Sequence, residues 1–297
     1  MTVFPTIIIT GATNGIGRVA AGKLCREGGT LVLIARSAAK AAETRAEISK
    51  SGSLAQIDFI EADFTDLASV GRAAGTLLDH YPKIDCLINN AGIHAFQQRI
   101  TRDGLPEMVS VNYFAPWLLT ALLCDRIVAS APSRIVTVAS EASRRAKGIR
   151  PEIDLLDTSS FSAMGSSEVY GRTKLMDIMF SCQLARRLSG KGVAVNCLDP
   201  GFNVTGLGRD LPFSGILARA LTALRIGSPE RGASLIYKLA TDPAVANTTG
   251  GYYTVRQTNP IVPVAPGGDP DAQQELWAAT AKILRDFLTS EGGFKLP

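Results

Sequence analysis

The sequence predicts a single α/β domain built on a doubly wound parallel sheet. Three observations carry this. Short β-branched apolar runs alternate with helical patterns, joined by short connections, which is βαβ repetition. The first run passes directly through a glycine-rich turn into a helix. No linker or break in composition divides the 297 residues, although that length would also suit two domains.

The elements follow in order. Val3 to Thr10 is apolar throughout, the pattern of a strand buried on both faces. Gly11-Ala-Thr-Asn-Gly15-Ile-Gly17 comes next, then a helix to Glu27. Gly11 permits a tight turn, Gly15 lets the backbone approach a pyrophosphate, and Gly17 lets helix and strand pack closely. The helix N-terminus then offers free N–H groups to phosphate. The plain alternative is glycines gathered in a turn. The second strand, Leu31 to Ala35, ends in Arg36. Folds that prefer NAD place an acid near there for the ribose 2′-hydroxyl. Arg36 and Arg18 instead suit a 2′-phosphate, which guanidinium binds bidentately.

Ala38 to Lys50 reads as a helix, Leu54 to Ile60 as a strand, Leu67 to His80 as a helix and Ile84 to Ile88 as a strand. Asp63, at the end of the third strand, could meet an adenine ring. The fourth strand runs into Asn89-Asn90-Ala91-Gly92. Leu105 to Ser130 is a long helix carrying Asn112, with Pro116 expected to kink it by removing an N–H. The strand Arg134 to Ser140 follows, then a basic loop, a helix from Ser166 to Leu188 bearing Tyr170 and Lys174, and a strand from Val193 to Leu198. Residues i and i+4 share a helix face, so the phenol and the ammonium can point at one spot.

Composition narrows the classes. A net charge of +4 without a Lys/Arg block argues against nucleic acid. Cys25, Cys86, Cys124, Cys182 and Cys197 are scattered, which predicts reduced thiols and a cytoplasmic location. Only His80 and His94 are present, and no metal spacing occurs, so no metal is expected. Neither a signal peptide nor a membrane-spanning apolar run is evident, so no membrane anchor is expected.

Together the motifs resemble the short-chain dehydrogenase/reductase family. The matching residues are Thr10-Gly11-x-x-x-Gly15-x-Gly17, Asn89-Asn90-Ala91-Gly92, Asn112, Ser140, Tyr170-x-x-x-Lys174 and Pro200-Gly201-x-x-x-Thr205, in the family's order. Within the family the chain looks most like the retinol-dehydrogenase-like branch. Arg36, the long loop between Ser140 and Tyr170, and the tail around Gly250-Gly251-Tyr252-Tyr253 and Gln274-Glu275-Leu276-Trp277 carry that likeness. Ala139 stands where many relatives have another Ser.

The resemblance implies a Rossmann fold with a mostly parallel seven-stranded sheet and helices on both faces. It implies an oxidoreductase that moves hydride between NADP(H) and a carbonyl or alcohol, with NAD less suited. Tyr170 would be the acid or base, Lys174 would hold the nicotinamide ribose and lower the Tyr170 pKa, and Ser140 would bond the substrate oxygen. Asn112 would fix a water. The phosphate turn would comprise Gly11, Thr13, Asn14, Gly15, Ile16 and Gly17, with Arg18 after it. Asp63 and Phe64 would lie at the adenine. Asn90, Ala91 and Gly92 would flank the ribose, with Pro200, Gly201 and Thr205 at the carboxamide.

Substrate selection is expected from the loop 141–168 and from 206–226, which reads as a lid or as an interface. A small lipophilic ketone, aldehyde or alcohol is the expected substrate. Family resemblance suggests a homodimer or homotetramer through the helices bearing Asn112 and Tyr170, while the C-terminal extension 261–297 could block some interfaces. Two rival readings remain: a non-catalytic NADP-binding sensor or scaffold, and an extended-branch epimerase or dehydratase. The retained polar quartet speaks against the first. The absent G-x-x-G-x-x-G turn and sugar domain speak against the second.

Overall fold

A computed structural model describes residues 5–50, 52–201 and 229–289. Seven strands form one sheet in the order β3-β2-β1-β4-β5-β6-β7. They are β1 (Thr6–Thr10), β2 (Thr30–Ala35), β3 (Gln56–Glu61), β4 (Cys86–Asn89), β5 (Ser133–Val138), β6 (Val193–Asp199) and β7 (Tyr252–Thr254). Every neighbouring pair is parallel, which sharpens the expected mostly parallel sheet. The order reverses between β1 and β4, and the crevice that opens beyond the C-terminal ends of such strands is where ligands enter folds of this kind.

The longer helices are α1 (Gly15–Leu24), α2 (Ala38–Lys50), α3 (Leu67–His80), α4 (Glu107–Ala129), α5 (Ser166–Arg187), α6 (Pro229–Thr241) and α7 (Pro270–Ile283). Alternation along the strands sorts the core into two layers. Ile7 and Ile9 of β1 pack with Ile16, Ala20 and Leu24 of α1 and Ile236 of α6. Ile8 points the other way, into a larger cluster with α3, α4, α5 and α7. These two apolar layers explain why the strands read as unbroken hydrophobic runs. Local signals set the ends: Asp66 starts α3 by accepting from the Ala68 and Ser69 amides.

Two features depart from expectation. The helix around Pro116 is not plain α-helix. A π-helical turn over Ser110–Phe114 precedes it, with the Ala115 amide reaching back to the Ser110 carbonyl. The widened turn absorbs the missing N–H, and Pro116 sits in the first turn of the α-helical stretch that follows, where a donor is not needed. The same helix, Glu107–Ala129, is long and apolar enough to cross a membrane, contrary to the sequence expectation, yet 94% of its apolar window is buried inside this fold. It is the central strut of the larger core.

The C-terminal extension is structured as far as it is described. α7 lies across α4 and α5, with Trp277 tilted 5.1 Å from Trp117 and stacked 5.9 Å from Phe180. The helices expected to face a partner copy are thus covered here by the chain's own residues. Thr205 and the segment 206–226 lie outside the described residues, as do 290–297.

Candidate active site

Four strand ends build the site. Thr10, at the end of β1, is 1% exposed, and its Oγ1 accepts from the Asn90 and Ala91 amides at 2.9 Å each. The Asn90 side chain donates to the Thr10 and Gly11 carbonyls at 2.8 and 3.2 Å. The ends of β1 and β4 are stitched together by one hydroxyl and one amide. Asn90 therefore braces the glycine turn. Thr10, quoted only as part of a motif, is the residue that sequence reasoning undervalued.

The glycines are required here by geometry. Gly11 adopts φ +68°, and a Cβ there would lie 2.8 Å from the Ala91 Cα. A Cβ on Gly17 would lie 2.5 Å from the Gly11 carbonyl oxygen and against the Asn90 amide. Asn14 caps α1 by accepting from the Gly15 amide at 2.9 Å. Ile16 is buried beneath the turn, whereas Thr13 stays partly open. The result is a side-chain-free cradle at a helix N-terminus, which fits a pyrophosphate.

Arg36 is exposed at the end of β2 and makes no ion pair among the described residues. Arg18 instead pairs with Glu47 of α2 at 3.1 Å. Both partners are well exposed, so the pair is worth little and can yield to a stronger anion. Asp63 turns its carboxylate onto the Thr65 amide and hydroxyl at 2.9 and 2.8 Å, the self-closed turn typical of this residue. Phe64 is buried, its carbonyl held by the Ser110 hydroxyl at 3.2 Å.

The expected catalytic residues converge. Ser140 follows β5 and caps a 3₁₀ turn over Glu141–Arg145, accepting from the Ala142 amide at 3.2 Å. Its side chain lies beside the Tyr170 phenol and lowers that group's pKa. Lys174, 4% exposed one turn along α5, donates to the Val138 carbonyl at 3.0 Å and to Asp177 Oδ2 at 2.8 Å. Gly92 approaches from β4: a Cβ there would stand 3.3 Å from Asn112 Oδ1 and 3.5 Å from Lys174 Nζ.

The Asn112 side chain is held within the protein. Its Oδ1 accepts from the Ile93 amide at 2.7 Å, and its Nδ2 donates to the Ile93 carbonyl at 2.9 Å and to Thr173 Oγ1 at 3.0 Å. Both amide hydrogens are spent. Asn112 locks the loop after β4 to α5, with the π turn supplying the angle.

Burial pushes the Tyr170 phenol above its ordinary pKa. Lys174 and the Ser140 side chain pull it down, Asp177 and Asp199 push it up, and burial prevails. In the protein alone the phenol keeps its proton at neutral pH. The expected pull of Lys174 is real but outweighed by burial, to which Asp177 adds. Burial lowers the pKa of Lys174 itself, but Asp177 and Tyr170 overcome that and leave it raised.

Three further residues were not singled out from the sequence. His94 stacks on the Tyr170 ring, with centroids 4.6 Å apart. The Ser166 hydroxyl donates to the Ala163 carbonyl at 2.6 Å, so it accepts from His94 Nε2–H at 3.1 Å, which assigns the tautomer. Burial lowers the His94 pKa, with help from Arg145. Asp199 accepts from the Glu141 and Gly201 amides at 2.9 and 3.1 Å and so ties the β5 and β6 loops together. Gly171 lets α5 approach the 3₁₀ turn, where a Cβ would collide with the Ala142 carbonyl. Gly171→Ala is therefore expected to part Tyr170 from Ser140 and cut kcat by about 10²-fold, the order of loss a small misplacement causes. Unchanged kcat with unchanged thermal stability would refute that spacing argument.

A family model described as short chain dehydrogenase matches residues 5–150. Mouse retinol dehydrogenase 14 is 35% identical over 286 residues, covering 92% of this chain and 83% of that protein. A Streptomyces sp. (strain C5) protein provisionally named daunorubicin C-13 ketoreductase DnrU is 34% identical over 281 residues, covering 95% and 93%. A crystal structure from Beutenbergia cavernae, provisionally described as an NAD(P)-dependent gluconate 5-dehydrogenase with NADP bound at low occupancy, aligns with TM-score 0.66 and 28% identity over 86% of this chain and 96% of that one. The chain belongs to the short-chain dehydrogenase family, as an oxidoreductase acting on CH–OH or C=O. Within it the chain is retinol-dehydrogenase-like.

Proposed function

We propose that the protein is an NADP(H)-dependent carbonyl reductase for lipophilic ketones or aldehydes, with Tyr170 as proton donor. The observation that carries this is the Tyr170 phenol, set beside the Ser140 side chain and with Lys174 Nζ 6.0 Å from its ring centroid. When bound, the nicotinamide dinucleotide supplies or accepts the hydride. The chain's residues do the rest. The cradle from Gly11 to Gly17 receives pyrophosphate on backbone amides. Ser140 and Tyr170 present two hydroxyls to one substrate oxygen, stabilising charge that develops there. Tyr170 donates its proton as that charge appears, and Lys174 steadies the phenolate left behind.

In the free protein burial keeps the phenol protonated, the form that can donate to a carbonyl oxygen. A lipophilic substrate is consistent with two relatives, a retinol dehydrogenase and a provisionally named daunorubicin C-13 ketoreductase. A screen of NADPH oxidation against aliphatic aldehydes, retinoids, steroids and quinones tests the reading. Turnover confined to small hydrophilic sugars would overturn the substrate class.

Arg36 carries the NADP preference, with Arg18 able to join once it leaves Glu47. Arg36→Glu is expected to weaken NADPH by about tenfold to a hundredfold, since a charge-assisted bond is worth about 1.5–3 kcal/mol, while NADH is little affected. Equal losses for both nucleotides in a fluorescence titration would remove Arg36 from this role.

A further inference from the structure

Asp177 is a buried acid for which the proposed reaction has no use. It lies three residues beyond Lys174 on α5, is 1% exposed, and holds Lys174 Nζ through Oδ2 at 2.8 Å. Its other oxygen, Oδ1, is buried without a hydrogen-bond partner. A lone buried carboxylate is expensive, and an unpaired oxygen makes it more so. Such a group is most simply retained for what its charge does to its neighbours.

The neighbours are few. On α5 they are Lys174 and, one turn further back, Tyr170. From α4 comes Tyr113, whose hydroxyl is occupied by Thr280 of α7 at 2.8 Å. From β6 comes the buried thiol of Cys197. Neither carries charge at neutral pH, because burial raises both. Around Tyr170 the remaining groups are Ser140, neutral His94 and, more weakly, Asp199. Lys174 is thus the cation at the centre of this cluster and Asp177 the anion that contacts it.

Resting on the proposed roles of Tyr170 and Lys174, we propose that Asp177 is a positioning residue with a second task. Its carboxylate anchors the Lys174 ammonium from the side of α5 and offsets part of its charge, so that the Tyr170 hydroxyl is kept as a proton donor. One fixed cation can serve either direction of the reaction, since it favours phenolate, the base of alcohol oxidation. Adding the anion shifts the balance back toward phenol, the acid of carbonyl reduction.

The sign can be worked out for pH. Burial, only partly opposed by Lys174, raises the Asp177 pKa to about 6. Above that pH the carboxylate is ionised throughout the range in which Tyr170 titrates. Removing its charge should therefore move the Tyr170 titration to lower pH.

The test reads Tyr170 in the protein without substrate. Phenolate absorbance is titrated in wild type and in Asp177→Asn, each measured as the difference from its Tyr170→Phe counterpart. The Asp177→Asn midpoint is expected about 1–3 units lower, the range for a nearby charge. The rising limb of the pH profile for alcohol oxidation should move by the same amount. Asp177→Glu, which keeps the charge, should leave the limb near wild type. Asp177→Ser provides the neutral variant if the amide does not fold. An unmoved midpoint in a folded neutral variant overturns the role of Asp177 while leaving Tyr170 intact as catalyst. Full turnover in Tyr170→Phe would instead overturn the underlying reading.

Discussion

Tyr170→Phe is expected to abolish carbonyl reduction, by about 10²–10⁴-fold for the lost general acid, while nucleotide binding survives. The substitution is clean because the neighbours do not depend on the hydroxyl. Lys174 is held by Val138 and Asp177 and so stays in place. The ring remains stacked on His94, and Ser140 keeps its cap on the Ala142 amide. Only the hydroxyl is removed. Stopped-flow NADPH oxidation and a parallel binding titration separate the two quantities. Near-full activity in this variant would sink the catalytic assignment and return the chain to a nucleotide-binding role. Loss of binding along with turnover would mean that the hydroxyl also shapes the cofactor pocket.

The residues that make this argument differ in how visible they are in the sequence. The strands were readable because both faces of the sheet are covered, which forces unbroken apolar runs such as Ile7, Ile8 and Ile9. The glycine turn, Ser140, Tyr170 and Lys174 were readable because their spacing is set by strand ends and one helical turn. What Asn90 and Asn112 do was not readable. An amide can serve a ligand, a water or the backbone, and only the fold reveals that these two clasp the loops after β1 and β4. His94 and Asp177 were invisible for another reason. Each matters through one long-range or buried contact that leaves no periodicity. The π turn was not readable either, because the sequence shows the proline's missing N–H but not which turn accommodates it. The length of the apolar helix Glu107–Ala129 was missed because polar residues such as Asn112 interrupt its run, and its apolarity marks the centre of a core.

The C-terminal extension shows the same limit and supports the largest expected change in stability. Sequence suggested only that the tail could obstruct an interface. In the fold, α7 seals the back of the helices that bear Asn112 and Tyr170. Trp277 is 4% exposed, lies between Trp117 and Phe180, and carries the Arg187 guanidinium 4.5 Å from its ring. Thr280, fully buried, receives the Tyr113 hydroxyl next to Asn112. Trp277→Ala would empty a space between two aromatic rings that rigid helices cannot close. Its expected cost is about 3–5 kcal/mol. At about 2–4 °C per kcal/mol for a large domain, calorimetry should find the midpoint lower by on the order of 10 °C. Trp277→Phe should cost far less, because a ring still fills most of the gap. The alanine variant should also associate in a concentration-dependent way by ultracentrifugation, since opening α7 uncovers Trp117 and Phe180 for a second copy. An unchanged midpoint would mean that α7 merely rests on the core. Lower stability without association would mean that the uncovered face does not pair.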